Sequence, residues 1–211
     1  MALPSLATPE QLQAYVPGVA VPTESAELAL RIASAAIRRE TRQTLTFVED
    51  DTVVLEGGER VLALPQRPVV VSEDHPLTVV EIPDGTGFEV PAVENRDFIR
   101  QGSELRRGEP LYDLGRTMGW PWARPLGIWA DRVRVTYSHG YREDELPDEL
   151  VGVCLDLAAA TLSNPRRLRS ESAGATSVTY TVETFGTGSL TADHRRILRD
   201  FKRTVLSVRQ S

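Results

Sequence analysis

Apolar positions recur with two different periods along this chain, and the switches between them mark out its elements. The opening ATPEQLQAYVPG (residues 7–18) reads as a short helix: Thr8 suits the N-cap and Pro9 the first helical position. Gln11, three residues after Thr8, completes a capping box, and Pro17-Gly18 ends the helix. Over residues 23–43 a longer helix is predicted. Glu24, Glu27, Arg31, Ser34 and Arg38 step along it by threes and fours as one polar stripe, while Leu28, Leu30, Ile32, Ala33, Ala36 and Ile37 cover most of the rest. An apolar face that wide must be covered on more than one side.

The period then drops to two. TVVLEGGERVLALP is two short β-rich runs around Gly57-Gly58, which predicts a hairpin. RPVVVSE and LTVVEI predict further strands, followed by a turn at Pro83-Asp84-Gly85. RDFIRQGSELRRG predicts a strand pair around Gly102. DRVRVTYSHGY alternates, with Val133, Val135 and Tyr137 facing one way and Arg132, Arg134, Thr136 and Ser138 the other. Residues 108–131 are rich in Gly, Pro and Trp and have no clean period.

Helix returns in LPDELVGVCLDLAAATLSNP, where Asp148 and Glu149 favour the positive end of the helix dipole and Asn164-Pro165 stops it. Only Gly152, Asp156 and Thr161 interrupt the apolar run 150–162, which predicts the central buried helix. RRLRSESAGATS reads as a polar loop and SVTYTVET as a lone strand (residues 177–184). The terminal helix starts at the Thr191 N-cap and carries the apolar stripe Ile197, Leu198, Phe201, Val205 and Val208. The order predicts an α+β fold.

Composition narrows the possible functions. Cys154 is the single cysteine of 211 residues, so an intrachain disulfide and a cysteine-built zinc site are both excluded. The net charge of −6 disfavours wrapping nucleic acid over the whole surface. It is unevenly spread: residues 1–51 sum to −3, residues 52–146 to −5 and residues 147–211 to +2. The first base is Arg31, so the charged start of a secretory signal is missing, and no apolar run is long enough to cross a bilayer. This predicts a soluble protein of a reducing compartment.

Catalytic chemistry finds no support. His75, His139 and His194 have no metal-ligand spacing and read as partly exposed structural histidines. There is no G-x-S-x-G elbow, and Gly57-Gly58 lacks the rest of a phosphate loop. Glu49-Asp50-Asp51 reads as a solvated turn. No catalytic, cofactor-binding or metal residue is therefore expected. Three features suit contact with partners instead. Trp120, Trp122 and Trp129 either cap the open end of the β-region or anchor an interface. The lone strand, with Tyr180, either pairs within the subunit or adds to a neighbour's sheet edge. Arg195, Arg196, Arg199, Lys202 and Arg203 suit docking onto an acidic surface or a phosphate backbone.

In this order, RRETRQTLT, LPQRPVVVSE, DFIRQGSELRR with GWPW, VRVTYSHGY, LPDELVGVCLDLAAATLSNP, SESAGATSVTYT and LTADHRRILRDFKR resemble the head–tail adaptor (connector) proteins of tailed bacteriophages, over about residues 8–206. The resemblance implies one adaptor domain over residues 1–211, a helical bundle with an inserted antiparallel β-region: N-terminal helices (8–45), the β-insertion (50–141), and a central helix, lone strand and C-terminal amphipathic helix (147–211). It implies a virion protein made in the host bacterial cytoplasm, forming a ring, typically of twelve subunits, beneath the portal. The portal protein lies above, the next neck or tail-completion protein below, and packaged DNA passes through without sequence-specific contact. No membrane, cofactor or catalysis is implied. On this reading the five terminal bases are expected to dock on the portal, and Trp120, Trp122, Trp129 and Tyr180 to sit at a subunit or neck contact. The competing expectation is a small nucleic-acid-binding regulator that uses the basic C-terminal segment.

Overall fold

The computed structural model of the chain describes residues 3–18, 20–83, 88–108, 127–163, 170–173, 176–179 and 190–203. Among these the fold is α+β, with four α-helices and antiparallel sheets. The chain divides into two compact units, one made of residues 1–46 and 141–203 and the other of residues 47–140.

The first unit is mainly helical. α1 (Pro9–Tyr15) begins with the expected capping box: Gln11 N–H donates to Thr8 Oγ1 (3.3 Å), and Thr8 N–H donates to Gln11 Oε1 (2.8 Å). α2 (Thr23–Thr41) ends where Arg42 turns left-handed (φ 57°) and donates its N–H to the Arg38 carbonyl. α2 buries Ala26, Ala29, Leu30, Ala33 and Ile37 in a core shared with Leu6, Leu12, Leu45 and, from α3 (Asp148–Ser163), Leu150, Val153, Cys154, Leu157 and Ala158. Small residues on both helices suit a close approach of their backbones. The polar stripe expected on α2 loses one member, because Ser34 is fully buried. Its hydroxyl accepts the Leu6 N–H (2.9 Å) and lies 3.5 Å from Cys154 Sγ, so it satisfies a backbone donor of a non-helical segment that packs into the core.

Two expectations for this unit are corrected. The terminal helix was expected to run past Val205, but α4 covers Ala192–Leu198, continues as one 3-10 turn (Arg199–Phe201), and Lys202 is extended. Arg203 N–H reaches the Thr41 carbonyl instead (2.9 Å), supplying a donor to the otherwise orphan end of α2. Val205 and Val208 lie outside the described residues. The second correction concerns the polar loop, part of which is a strand: Ser170–Ala173 (β9) pairs antiparallel with Thr176–Thr179 (β10), so over its described residues the expected strand pairs within the subunit, the first of its two readings.

The second unit is a pair of sheets. The larger has the order β1–β8–β4–β5, made of Val48–Glu56, Arg132–His139, Thr78–Ile82 and Val90–Ala92, with β3 (Val69–Val70) also paired to β8. The smaller has the order β2–β7–β6, from Val61–Ala63, Glu104–Arg107 and Phe98–Gln101. Alternation in β8 is as expected: Val133, Val135 and Tyr137 are fully buried. β6 and β7 form the expected hairpin, with Gly102 at φ 60°. The hairpin expected at Gly57-Gly58 does not form. β1 pairs with β8 and β2 with β7, so the glycines carry the chain from one sheet to the other. Gly57 N–H donates to Asp131 O (2.8 Å), and a Cβ at Gly57 would stand 1.6 Å from the Ala130 carbonyl oxygen. The glycine pair marks a close approach of two backbones and not a tight turn.

Candidate interaction surfaces

Long-range pairing gathers charge at one end of the helical unit. Arg195, Arg196, Arg199, Lys202 and Arg203 are all exposed, as their proposed docking role requires. Lys202 Nζ lies 2.6 Å from Glu40 Oε1 on α2, and Arg196 pairs with Asp193 at 3.4 Å. Lys202 holds the Glu40 carboxyl below its ordinary range, helped by the charges of Arg195 and Arg39. Arg42 is exposed beside Thr41, the residue that receives the Arg203 N–H. Lys202, Arg195 and Arg39 thus all act on Glu40, and the Arg203 N–H on the Thr41 carbonyl brings the C-terminal bases beside Arg42 at the end of α2. The sequence separates these groups by about 160 positions, and no local pattern joins them. The one available signal was RRETRQ at the end of α2, a basic run more concentrated than a helix terminus needs.

α2 also leaves an apolar strip uncovered. Leu28 is 49% and Ile32 40% exposed, one turn apart, with Ala35 exposed beyond them. Among the described residues, the wide apolar face foreseen for this helix is thus covered along only part of its width. Nearby in the same unit, Asp156 on α3 ties two other helices together. It accepts the Tyr15 hydroxyl of α1, which raises the Tyr15 pKa, and its second oxygen lies 3.4 Å from His194 Nε2 of α4. His194 also stands in the α4 capping box, where its Nδ1 receives the Thr191 N–H (3.4 Å). His194 is therefore structural, as expected.

In the β unit the sequence-selected residues turn inward. Trp129 is 1% exposed. Its Nε1–H donates to the Leu105 carbonyl (3.2 Å), its ring packs on Phe98, and the Arg107 guanidinium lies 5.5 Å from its centre. Of the four residues proposed for an interface, this one is a core residue of its own unit. Trp120, Trp122 and Tyr180 lie outside the described residues, as does the Pro83-Asp84-Gly85 turn beyond Pro83. His139 is fully buried, which corrects the expectation of partial exposure. The alternation that buries Tyr137 ends in a stretch where Ser138, His139 and Gly140 are all enclosed. Burial pushes the His139 imidazole below its ordinary pKa, against the opposing pull of Asp51, whose carboxylate lies 3.1 Å away. His75 lies 3.3 Å from Glu49.

Sequence reasoning missed one polar core feature. Glu81 is fully buried on the inner face of β4, in register with Val133 of β8. One oxygen accepts the Ala130 N–H (3.0 Å), and the other lies 3.1 Å from Arg107 Nη2 of the smaller sheet. This ion pair joins the two sheets of the β unit. Among the described residues no group of three or more His, Cys, Asp or Glu is arranged to hold a metal, and no helix is long and apolar enough to cross a membrane.

No protein-family model and no curated protein matches this sequence. Solved structures do. A chain from the neck of an empty GTA particle, computed with C6 symmetry, aligns with all of this chain and 97% of its own at 18% identity and a TM-score of 0.51. A chain from the neck of the native GTA particle, computed with C12 symmetry, aligns over the same shares at 17% identity and a TM-score of 0.50. A chain from the virion of the native gene transfer agent (GTA) matches at 19% identity and a TM-score of 0.51, over all of this chain and 96% of that one. At these identities the likeness is one of fold, and it extends end to end: the present chain has the same fold as chains of GTA neck and virion particles.

Proposed function

We propose that this protein is a structural component of a phage-type neck: a ring subunit beneath the portal that joins the DNA-filled head to the neck or tail and helps to retain and channel the genome. The carrying observation is the fold shared over the whole chain with proteins of neck particles computed with sixfold and twelvefold symmetry. The side chains support the same reading. A ring is built from heterologous contacts, so each subunit needs two unlike adhesive surfaces. The uncovered Leu28–Ile32 strip is one candidate, and Trp120 and Trp122 remain proposed for a subunit or neck contact. The exposed bases Arg195, Arg196, Arg199, Lys202 and Arg203 are assigned to docking on the portal. The role involves no bond made or broken, no cofactor and no membrane; twelve copies surround DNA that passes without sequence-specific contact.

Deleting the gene from its particle tests the reading. Filled heads without tails, losing their DNA, are the expected product; normal tailed particles would overturn it. The second reading, a nucleic-acid-binding regulator, draws on the same exposed bases. It predicts steeply salt-dependent binding of the isolated chain to duplex DNA, where the neck reading expects little.

A further inference from the structure

We infer that the docking surface is composite: Arg39 and Arg42 at the end of α2 act with the C-terminal bases as a receptor for carboxylates, and its partner is an acidic protein surface. The inference rests on the neck reading, under which that partner is the portal. Three observations carry it. Arg203 N–H on the Thr41 carbonyl and Lys202 on Glu40 bring the C-terminal bases against the end of α2, so the cationic groups of both elements share one surface. Arg39, Arg42, Arg195, Arg199, Lys202 and Arg203 are all exposed, and the anion held closest among them, Glu40, is itself a carboxylate. Glu40 is only 24% exposed at its side chain, so it acts as a built-in counter-ion and leaves the outer faces of the guanidinium groups open.

The chemistry favours carboxylate over phosphate. Arginine forks suit both anions. A duplex presents charge at a high, regular density, however, whereas this surface keeps an acid at its centre and carries the exposed Asp193 and Asp200 beside its bases. Interspersed acids repel a continuous phosphate backbone, but they can meet the mixed charges of a protein surface in register.

The test replaces Arg39 by Gln and Arg42 by Asn, the latter because asparagine tolerates the left-handed backbone that Arg42 adopts. Both side chains are exposed, so circular dichroism and melting should match wild type. Binding of the full chain to isolated portal rings should weaken at least tenfold and lose part of its salt dependence, while Arg31→Gln, on the exposed face of α2, should leave it unchanged. Wild type binding portal with the double variant binding equally well would overturn the composite surface and leave the neck reading intact. Wild type failing to bind portal would overturn both. If the substitutions abolish binding to a short DNA duplex but not to portal, the surface reads phosphate and the inference is wrong.

Discussion

The two units keep polar groups out of water by opposite means. In the helical unit the interior is mostly apolar, its buried polar side chains are uncharged, and the two most deeply buried serve backbone: Ser34 takes the Leu6 N–H, and the Thr41 hydroxyl donates to the Ile37 carbonyl one turn back. In the β unit a full charge is buried. Glu81 and Arg107 face each other between two sheets, with the Trp129 ring against the guanidinium. A helix meets its backbone hydrogen bonds internally, so its core is free to be apolar. Two sheets joined by crossing segments need something that fixes how they face, and a buried ion pair tolerates few alternative registers. Its contribution is orientation more than stability, since the cost of desolvating both ions offsets most of their attraction.

That contrast breaks most sharply at Glu81. Replacing it by Ala leaves the Arg107 guanidinium half-satisfied and the Ala130 N–H without its acceptor, which should cost about 3–5 kcal/mol by urea unfolding. Glu81→Leu combined with Arg107→Leu should cost clearly less than the sum of the two single changes. An additive result would mean that the ions act independently and that the orienting role is misassigned.

Gly57 sharpens the same point by a different route. A methyl group there meets the Ala130 carbonyl oxygen at 1.6 Å, a backbone atom that cannot swing aside. Gly57→Ala should therefore destabilise the β unit by about 2–3 kcal/mol, whereas Gly58→Ala is opposed only by its positive φ of 84° and should cost about 1 kcal/mol. Equal, small losses at both positions would return Gly57-Gly58 to an ordinary turn.

The same asymmetry governs what the sequence could tell. Caps are local: Thr8, Pro9 and Gln11 lie within four positions, and their bonds form as spaced. The alternation of β8 is also local, and Val133, Val135 and Tyr137 are buried as it requires. Pairing is not local. Nothing near Gly57-Gly58 distinguishes a hairpin from a crossing, because the deciding atom belongs to Ala130. Glu81 had a readable sign, since it shares its face of LTVVEI with the buried Val79, but its partner Arg107 lies on another sheet. The bases proposed for docking were legible only by half. The C-terminal set stood out as a cluster, while the end of α2 that carries Arg39 and Arg42 meets it through Thr41 and Glu40, by a single backbone hydrogen bond and one ion pair. The terminal helix was overestimated because its apolar period continues past the point where Arg203 turns to serve α2.

The smallest effect separates the units by pH. Burial depresses the His139 pKa in the folded β unit, although Asp51 partly restores it. The unfolded chain, with its ordinary value near about 6.5, then binds a proton more readily than the folded one. The stability this group contributes is complete above that value and is lost as pH falls toward the lower folded pKa. In wild type, the free energy of unfolding should therefore decline from pH 7 toward 5.5 with a component of less than one proton that His139→Gln removes. Both proteins keep His75 and His194, so the difference between their slopes isolates His139. An unchanged slope would mean that Asp51 cancels the effect of burial in full.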